Sequence, residues 1–149
     1  MAAAAYWDIT QAIKTRLDAG LSSLTPLPHV VTEEPFAANE SWIGIYCRSR
    51  VAPETSQSLA AGTKTQFLVR FELLCWRFAM SAPAAQQLRD NLVGDAEIAL
   101  MGDRTFGGTC VSSWLEGGRM LEQDDPAGRG RFFAGGEIIL IVDTFARTT

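Results

Sequence analysis

Hydrophobic side chains recur with helical spacing near the start of the chain. Ile9, Ile13 and Leu17 follow one another at intervals of four, which places them on one face of a helix. The pattern predicts this helix over about Tyr6 to Ala19. Gly20 is a natural end for it, because glycine is common just beyond helix C-termini.

A second helix is predicted from Ser81 to Met101. Ser81 is a favourable N-cap, and Pro83 lies in the first turn, where its missing N–H costs nothing. The apolar positions of this stretch form one face: Ala85, Leu88, Leu92, Ala96 and Ala99. We expect this helix to pack beside the first one on a sheet.

Alternating apolar and polar residues predict two long strands, from Trp42 to Arg50 and from Thr63 to Phe78. A third stretch, Arg131 to Phe145, contains the run Ile138 to Val142, which is apolar on both faces. Such a run belongs in the interior of a sheet or at a subunit contact. A short strand is expected around His29 to Thr32.

Glycines mark where the chain changes direction after the second helix. Gly102 is expected to end the helix, and the Gly107-Gly108 pair stands where the backbone must reverse or adopt positive φ. Beyond this pair a strand is predicted from Thr109 to Leu115. A bulge or turn at Gly117-Gly118 should follow, with further extended structure from Arg119 to Glu122.

The order of predicted elements is helix, short strand, two long strands, helix, and then two or three strands. Short links between neighbouring strands favour antiparallel pairing. We therefore expect one α+β domain over residues 1–149. It should contain a mostly antiparallel sheet of four to five strands with two helices packed on one face.

The sheet face away from the helices should be polar if it meets only water. In the strand from Thr63 to Phe78, that face instead ends with Leu74, Trp76 and Phe78. Surplus apolar residues of this kind, and tryptophan above all, are typical of contacts with another subunit. The candidate interface residues of this face are Trp42, Tyr46, Leu68, Leu74 and Trp76. Trp7, in contrast, is expected to pack in the core.

Composition and charge are those of a globular domain. The chain has 149 residues, of which 47% are apolar and 20% charged, and a domain of this size buries roughly 70% of its unfolded surface. The net charge is −4, from 13 basic and 17 acidic residues. Sequence-driven binding to nucleic acid is therefore disfavoured, because such modules usually present a basic face.

The three cysteines, Cys47, Cys75 and Cys110, are far apart and odd in number. We expect reduced core residues of a cytosolic protein rather than disulfides or ligands. The N-terminus lacks the basic region and apolar stretch of a signal peptide, and no window reaches the roughly 18 apolar residues of a membrane span. The protein is expected on the cytosolic side of a membrane, or in a particle assembled there, with no membrane partner.

Candidate catalytic residues do not form a set in the sequence. His29 is the one histidine, and we expect it at the surface or at a strand edge rather than paired with a cysteine as a nucleophilic site. The pairs Glu33-Glu34 and Asp124-Asp125 lack a spaced third ligand, so solvated loop charge is expected rather than a metal site. We predict no catalytic, cofactor or metal site, and hence a protein that is not an enzyme.

The segment Asp-Arg-Thr-Phe-Gly-Gly-Thr, from Asp103 to Thr109, carries a resemblance. Together with the order of helices and strands, it is similar to the tail terminator (tail completion) proteins of long-tailed bacteriophages. In that family the second helix commonly leads into an Asp-x-Thr-Leu-Gly-Gly-like turn, and Phe106 stands here at the usual leucine position. The likeness covers nearly the whole chain in element order, but only these seven residues in motif.

The resemblance implies a structural virion protein that has no cofactor. Members form a hexameric ring that caps the tail tube, terminates its polymerisation and joins the tail to the neck of the filled head. The implied partners are further copies of the chain, the tail tube protein, a neck or head-completion protein, and a sheath protein if the tail is contractile. DNA passes through the ring without sequence-specific binding. The implied location is the tail and neck region of the virion, after assembly in the host cytoplasm.

Two further regions are expected to contact a neighbouring subunit or partner. One is the exposed elbow, defined as Asp103 to Phe106, with Arg104 and Phe106 as candidate contact residues; the other is the polar loop from Val51 to Gly62. Two other kinds of protein remain as alternatives. The chain could be another phage neck, head-closure or tube-like ring protein, or a small cytosolic enzyme or ligand-binding α+β domain. The missing acid/base cluster is the main objection to the enzyme.

Overall fold

The computed structural model describes residues 6–24, 27–32, 41–51, 64–124 and 130–147. These residues form two helices and six strands, and the expected α+β fold is confirmed. The helices are α1 (Tyr6–Gly20) and α2 (Ala82–Met101). The strands are β1 (His29–Val31), β2 (Trp42–Val51), β3 (Lys64–Ala79), β4 (Ser112–Gly117), β5 (Met120–Asp124) and β6 (Phe132–Arg147). The predicted loop after Val51, the Glu33-Glu34 pair and Asp125 lie outside the described residues.

The sheet has the order β1-β2-β3-β6, and both β4 and β5 pair with the far side of β6. β4 pairs with the Ile139–Asp143 part of β6, and β5 with the Phe132–Gly136 part. The break between β4 and β5 falls at Gly117-Gly118, the predicted bulge. Six strands thus occupy five positions across the sheet, one strand more than the expected upper number. Pairing is antiparallel except between β1 and β2, which are parallel.

Both helices begin and end close to the predicted positions. Ile9, Ile13 and Leu17 form the buried stripe of α1. At the start of α2, the Ala84 N–H donates to the Ser81 Oγ over 3.4 Å, which satisfies one of the free N–H groups of the first turn. The Arg16 Nε donates to the Ala99 carbonyl over 2.8 Å and ties α1 to α2.

The core lies between the two helices and one face of the sheet. On that face, Phe71 pairs with Leu140 and Leu73 pairs with both Ile45 and Ile138, and all of these residues belong to one buried cluster with the apolar stripes of α1 and α2. Among the described residues, neither helix is both long and apolar enough to cross a membrane.

Several local expectations are wrong. Trp7 is 59% exposed on α1 instead of packing in the core. Cys47 is exposed, because β1 pairs only with Trp42 to Gly44 and so leaves the second half of β2 uncovered within the described residues. The register of β2 also shifts between Cys47 and Ser49. β4 begins at Ser112, three residues after the predicted start at Thr109.

Candidate subunit interface

The sheet face opposite the helices is apolar, and in the described part of the chain no helix lies on it. We call it the open face. Register fixes its members, since Trp76 pairs with Trp42 and Gly135, and Leu74 pairs with Gly44 and Glu137. The large apolar side chains of the open face are Trp42, Tyr46, Val51, Leu68, Leu74, Trp76, Phe78, Trp114, Leu121, Phe133, Ile139, Ile141 and Phe145.

The structure brings five of the seven candidate interface residues together on this face, each of them half-buried. They are Trp42, Tyr46, Leu68, Leu74 and Trp76. The remaining two, Arg104 and Phe106, lie in the elbow beyond α2. Phe133, Ile139, Ile141 and Trp114 were not among the candidates, although the run Ile138 to Val142 had signalled a strand that is apolar on both faces.

Aromatic rings on the open face lie down against the sheet. The Trp42 and Trp76 rings are 6.0 Å apart and tilted by 43°. A Cβ atom added at Gly135 would come 2.7 Å from the Trp76 ring, and one added at Gly44 would come 2.7 Å from the Tyr46 Oη. Because both positions are glycine, the rings can cover the backbone instead of standing away from it. The Trp76 and Tyr46 rings therefore lie over the backbone of Gly135 and Gly44.

A second aromatic pair continues the surface. The Phe78 and Phe133 rings are 6.0 Å apart with an edge-to-face angle of 72°. The Arg131 guanidinium stacks 4.7 Å from the Phe78 centroid and 5.7 Å from the Phe133 centroid. Because the Arg131 guanidinium stacks on the two rings, its charge can lie beside an apolar surface that stays continuous.

Charged groups of both signs interrupt the open face. The Arg48 Nε lies 3.5 Å from a Glu72 carboxylate oxygen, and the Arg48 guanidinium stacks 4.4 Å above the Tyr46 ring. Further along, an Arg119 guanidinium nitrogen lies 3.3 Å from the Glu137 carboxylate. The Arg119–Glu137 pair lies within the apolar surface, since Glu137 pairs with Leu74 and is 9% exposed.

The elbow is held in one conformation by the side chain of Asp103. Its Oδ1 accepts from the Thr105 N–H over 3.1 Å and from the Thr105 hydroxyl over 2.9 Å, and its Oδ2 accepts from the Gly107 N–H over 2.8 Å. The bond from the Gly107 backbone, followed by the two bonds from Thr105, lowers the pKa of Asp103. The Thr105 hydroxyl in turn accepts from the Gly108 N–H over 3.3 Å.

Phe106 corrects the expectation that the elbow is exposed along its whole length. Its ring is 4% exposed and belongs to the core, so this side chain is not available to a partner. Phe106 has φ +48°, and Gly107 and Gly108 follow at +71° and +85°. The left-handed conformation costs a non-glycine residue roughly 1–2 kcal/mol, which burial of the ring offsets. Phe106 is therefore fold-forming.

Arg104 remains exposed on the elbow. Its carbonyl oxygen accepts from the Ser113 hydroxyl over 2.8 Å and lies 3.5 Å from the Cys110 Sγ. The Arg104 backbone is thus bonded to Ser113 of β4, while the residue itself is exposed. Of the two elbow candidates, Arg104 is the one that can reach a partner.

Reactive groups elsewhere do not converge. Burial raises the pKa of Cys75 to about 12 and that of Cys110 to about 11, so both thiols stay protonated at neutral pH. His29 is exposed on β1. Over the described residues, no three or more His, Cys, Asp or Glu side chains are placed to hold a metal ion.

A cavity of about 310 Å³ lies between the start of α2 and strands β5 and β6. Across its lining, the Gln86 amide donates to a Glu122 carboxylate oxygen over 2.9 Å. The remaining lining residues are alanines and phenylalanines: Ala82, Ala85, Ala134, Phe132 and Phe133. The described residues that line this cavity give it apolar walls and one carboxylate, that of Glu122. They include no serine, threonine, cysteine, lysine or histidine that could act as a nucleophile or a general base.

Comparison of the chain with protein-family models and with curated proteins finds no match. The likeness to tail terminators therefore depends on the elbow sequence and the element order alone.

Proposed function

We propose that the chain is a non-enzymatic structural subunit that assembles into a ring, and that this ring is a tail terminator of a long-tailed phage. In this role it caps the tail tube, stops tube polymerisation and joins the tail to the neck or head-completion protein. A contractile tail would add the sheath protein as a partner. DNA would pass through the ring without sequence-specific contacts, and the ring would remain in the tail and neck region of the virion.

The open face is the observation that carries the proposal. Folded monomers rarely leave a large contiguous apolar patch in contact with water, and such patches mark sites of association. Phe133, Ile139 and Ile141 of the open face are already buried within the chain. The part that still meets water contains three half-buried tryptophans, Trp42, Trp76 and Trp114, and tryptophan is the residue type most enriched at interface hot spots. A second copy of the chain is the occupant that a ring requires.

The elbow supports the more specific assignment. The residues that carry the resemblance form a compact structure in which Asp103 binds two backbone N–H groups. The leucine-like position, Phe106, fills the core. The elbow sequence therefore folds into one defined turn. This is expected if tail terminator proteins use the same turn at this position.

The cavity at the start of α2 favours one alternative, a small ligand-binding α+β domain. Ligand sites are commonly concave, largely apolar and about 300–1,000 Å³ in volume, and the cavity of about 310 Å³ is at the lower limit. The cavity does not account for the tryptophans of the open face.

A different phage ring protein, from the neck, head closure or tube, would account for the tryptophans of the open face equally well, and only its binding partner would differ.

The proposal is tested by size-exclusion chromatography with light scattering over a range of protein concentrations, with and without isolated tail tubes. We expect a species of discrete ring mass, with rings in negative-stain images and one ring at tube ends. A chain that stays monomeric and leaves tube ends bare would contradict the proposal. Rings that bind neck or head-completion protein but never tubes would favour the alternative ring protein.

A further inference from the structure

The cavity beside the start of α2 lies on the helix-covered side of the sheet. Glu122 pairs with Ala134, and Ala134 shares its face of β6 with Gly136, where an added Cβ atom would meet Val93 of α2. We propose that this cavity binds a small organic cation, in which an ammonium, amidinium or guanidinium group is carried by a short apolar stem. The inference does not depend on the proposed ring, because it uses contacts within one chain.

Two kinds of regular element form the cavity, a helix and strands. Ala82, Ala85 and Gln86 belong to α2, and Ala134 belongs to β6. Ala85 and Ala134 are each 1% exposed, so part of the lining is continuous with the packed chain. Sites on helices and strands keep their geometry better than sites on loops. The volume of about 310 Å³ is at the lower limit of ligand sites, so the apolar stem must be short.

Glu122 supplies the cavity with a carboxylate that is accessible to a ligand. Its side chain is 61% exposed. The Gln86 amide donates to the Glu122 Oε1 over 2.9 Å, and the Arg89 Nη1 lies 3.8 Å from the same oxygen. Within the described residues, the structure gives the Glu122 Oε2 no partner. The carboxylate is thus positioned through one oxygen, and the other oxygen can accept a hydrogen bond from a ligand.

The charges around Glu122 favour a positive ligand. The Arg89 Nε lies 2.9 Å from the Asp90 Oδ1, which makes Asp90 a closer counter-charge of Arg89 than Glu122 is. The Arg89 Nη1 also donates to the Leu121 carbonyl over 3.2 Å, and this bond holds the guanidinium in place. Because one guanidinium faces two carboxylates, a positive group bound beside Glu122 would neutralise the set.

The start of α2 does not make the cavity a site for anions. Helix N-termini attract anions through free N–H groups, but Pro83 has none and the Ala84 N–H already donates to the Ser81 Oγ. The Arg131 guanidinium stacks on aromatic rings of the open face, away from the side on which Glu122 lies. An anion in the cavity would also be repelled by the Glu122 carboxylate.

The test compares three probes of one shape and different charge: benzamidine as the cation, benzamide as the neutral form and benzoate as the anion. Saturation-transfer NMR and calorimetric titration of the full chain give their dissociation constants. We expect benzamidine to saturate one site per chain and benzamide to bind at least about fivefold more weakly, the effect of one exposed ion pair. Benzoate should not bind. Guanidinium ion, which has the charge without the stem, should bind more weakly than benzamidine.

Two variants locate the site. Glu122→Gln should weaken benzamidine by about fivefold or more and leave benzamide unchanged. Ala82→Leu keeps the carboxylate but fills the cavity, and it should abolish binding of both probes. Glu116→Gln, at an exposed position of β4, is the matched control for the lost charge and should bind as wild type does. Circular dichroism verifies that each variant is folded, and the Glu122→Gln result stands alone if Ala82→Leu does not fold.

The inference is overturned if the three probes bind alike, or if Glu122→Gln binds benzamidine as wild type does. Benzamidine binding that survives in folded Ala82→Leu would place the cation outside the cavity and overturn it as well. A short peptide with one arginine that binds about tenfold more tightly than benzamidine would assign the site to a protein partner and overturn the small-molecule assignment. A chain that binds benzamidine but never forms rings would overturn only the proposed function.

Discussion

The two faces of the sheet are built from the same strands and both carry large apolar side chains, yet for the residues described only one of them is covered by helices. On β3, Phe71, Leu73 and Cys75 are fully buried beneath the helices, while Leu74 and Trp76 on the open face remain half-buried. The open face also carries charged residues: Arg70, Glu72, Glu137 and Asp143. The faces differ in burial at Leu74 and Trp76, which still meet water, whereas Phe133, Ile139 and Ile141 of the open face are buried. In a folded monomer, only buried side chains contribute their full burial to stability.

A pair of adjacent glycines in β6 shows how each face is adapted. A Cβ atom at Gly136 would collide with the Val93 side chain of α2, and one at Gly135 would meet the Trp76 ring. The first glycine lets a helix approach the sheet closely, and the second lets an aromatic ring lie on it. One face is shaped for packing within the chain. The other is shaped, on our proposal, for packing between chains.

The largest expected effect is a difference in the free energy of unfolding between alanine variants on the two faces. Leu73→Ala removes a fully buried side chain and should lower the free energy of unfolding by about 2–5 kcal/mol. Leu74→Ala, one residue along and on the open face, should cost less than about 1.5 kcal/mol in the monomer, because part of that side chain already meets water. Urea unfolding of dilute protein measures both. Equal losses would mean that the open face is also core.

The glycine pair gives a smaller and more selective effect. Gly136→Ala should destabilise the monomer by about 1–3 kcal/mol, since Val93 and the helix backbone behind it must shift. Gly135→Ala should change monomer stability less, because the Trp76 ring can lift from the sheet, but it should alter tryptophan fluorescence and weaken assembly. Thermal unfolding and light scattering of the two variants distinguish these outcomes. The account fails here if Gly135→Ala destabilises more than Gly136→Ala.

The smallest effect concerns the elbow, which joins the helical layer to the sheet. Because the folded-state pKa of Asp103 is lowered, its contribution to stability is present above the ordinary pKa of about 3.9 and is lost as the pH falls through the lower folded-state value. Wild type should therefore lose stability more steeply than Asp103→Asn when the pH falls below about 4. Urea midpoints at several acidic pH values measure this, and parallel curves would contradict it.

Elements with a strong local pattern could be predicted from the sequence. The stripe of α1 and the Ser81 cap of α2 have the expected positions, and the long strands β2, β3 and β6 follow their alternation. Alternation also placed Trp42 and Trp76 opposite the core-facing residues of their own strands, because successive side chains in a strand point to opposite faces. That the two tryptophans pair on one face depends on the register of β2 and β3. Whether they meet another subunit stays a prediction.

Features that depend on tertiary context could not be predicted. Phe106 sits in a polar, glycine-rich stretch and enters the core only because the backbone adopts a left-handed conformation there. Cys47 continues an apolar alternation but lies beyond the part of β2 that β1 pairs with. The Arg119–Glu137 pair spans 18 positions and needs the bulge between β4 and β5. The predicted Gly117-Gly118 bulge was its only sequence signal.

The central claim, that the open face serves association and not folding, is tested most directly by placing one charge on each side of the molecule. Trp76→Glu puts a carboxylate on the open face, and Trp7→Glu puts the same carboxylate at a position that is 59% exposed on α1. Light scattering of both variants, with circular dichroism to verify folding, should show a folded monomer for Trp76→Glu and normal rings for Trp7→Glu, because an unpaired charge enclosed in a contact is costly. If Trp76→Glu unfolds, or assembles as wild type does, the open face is not the assembly surface.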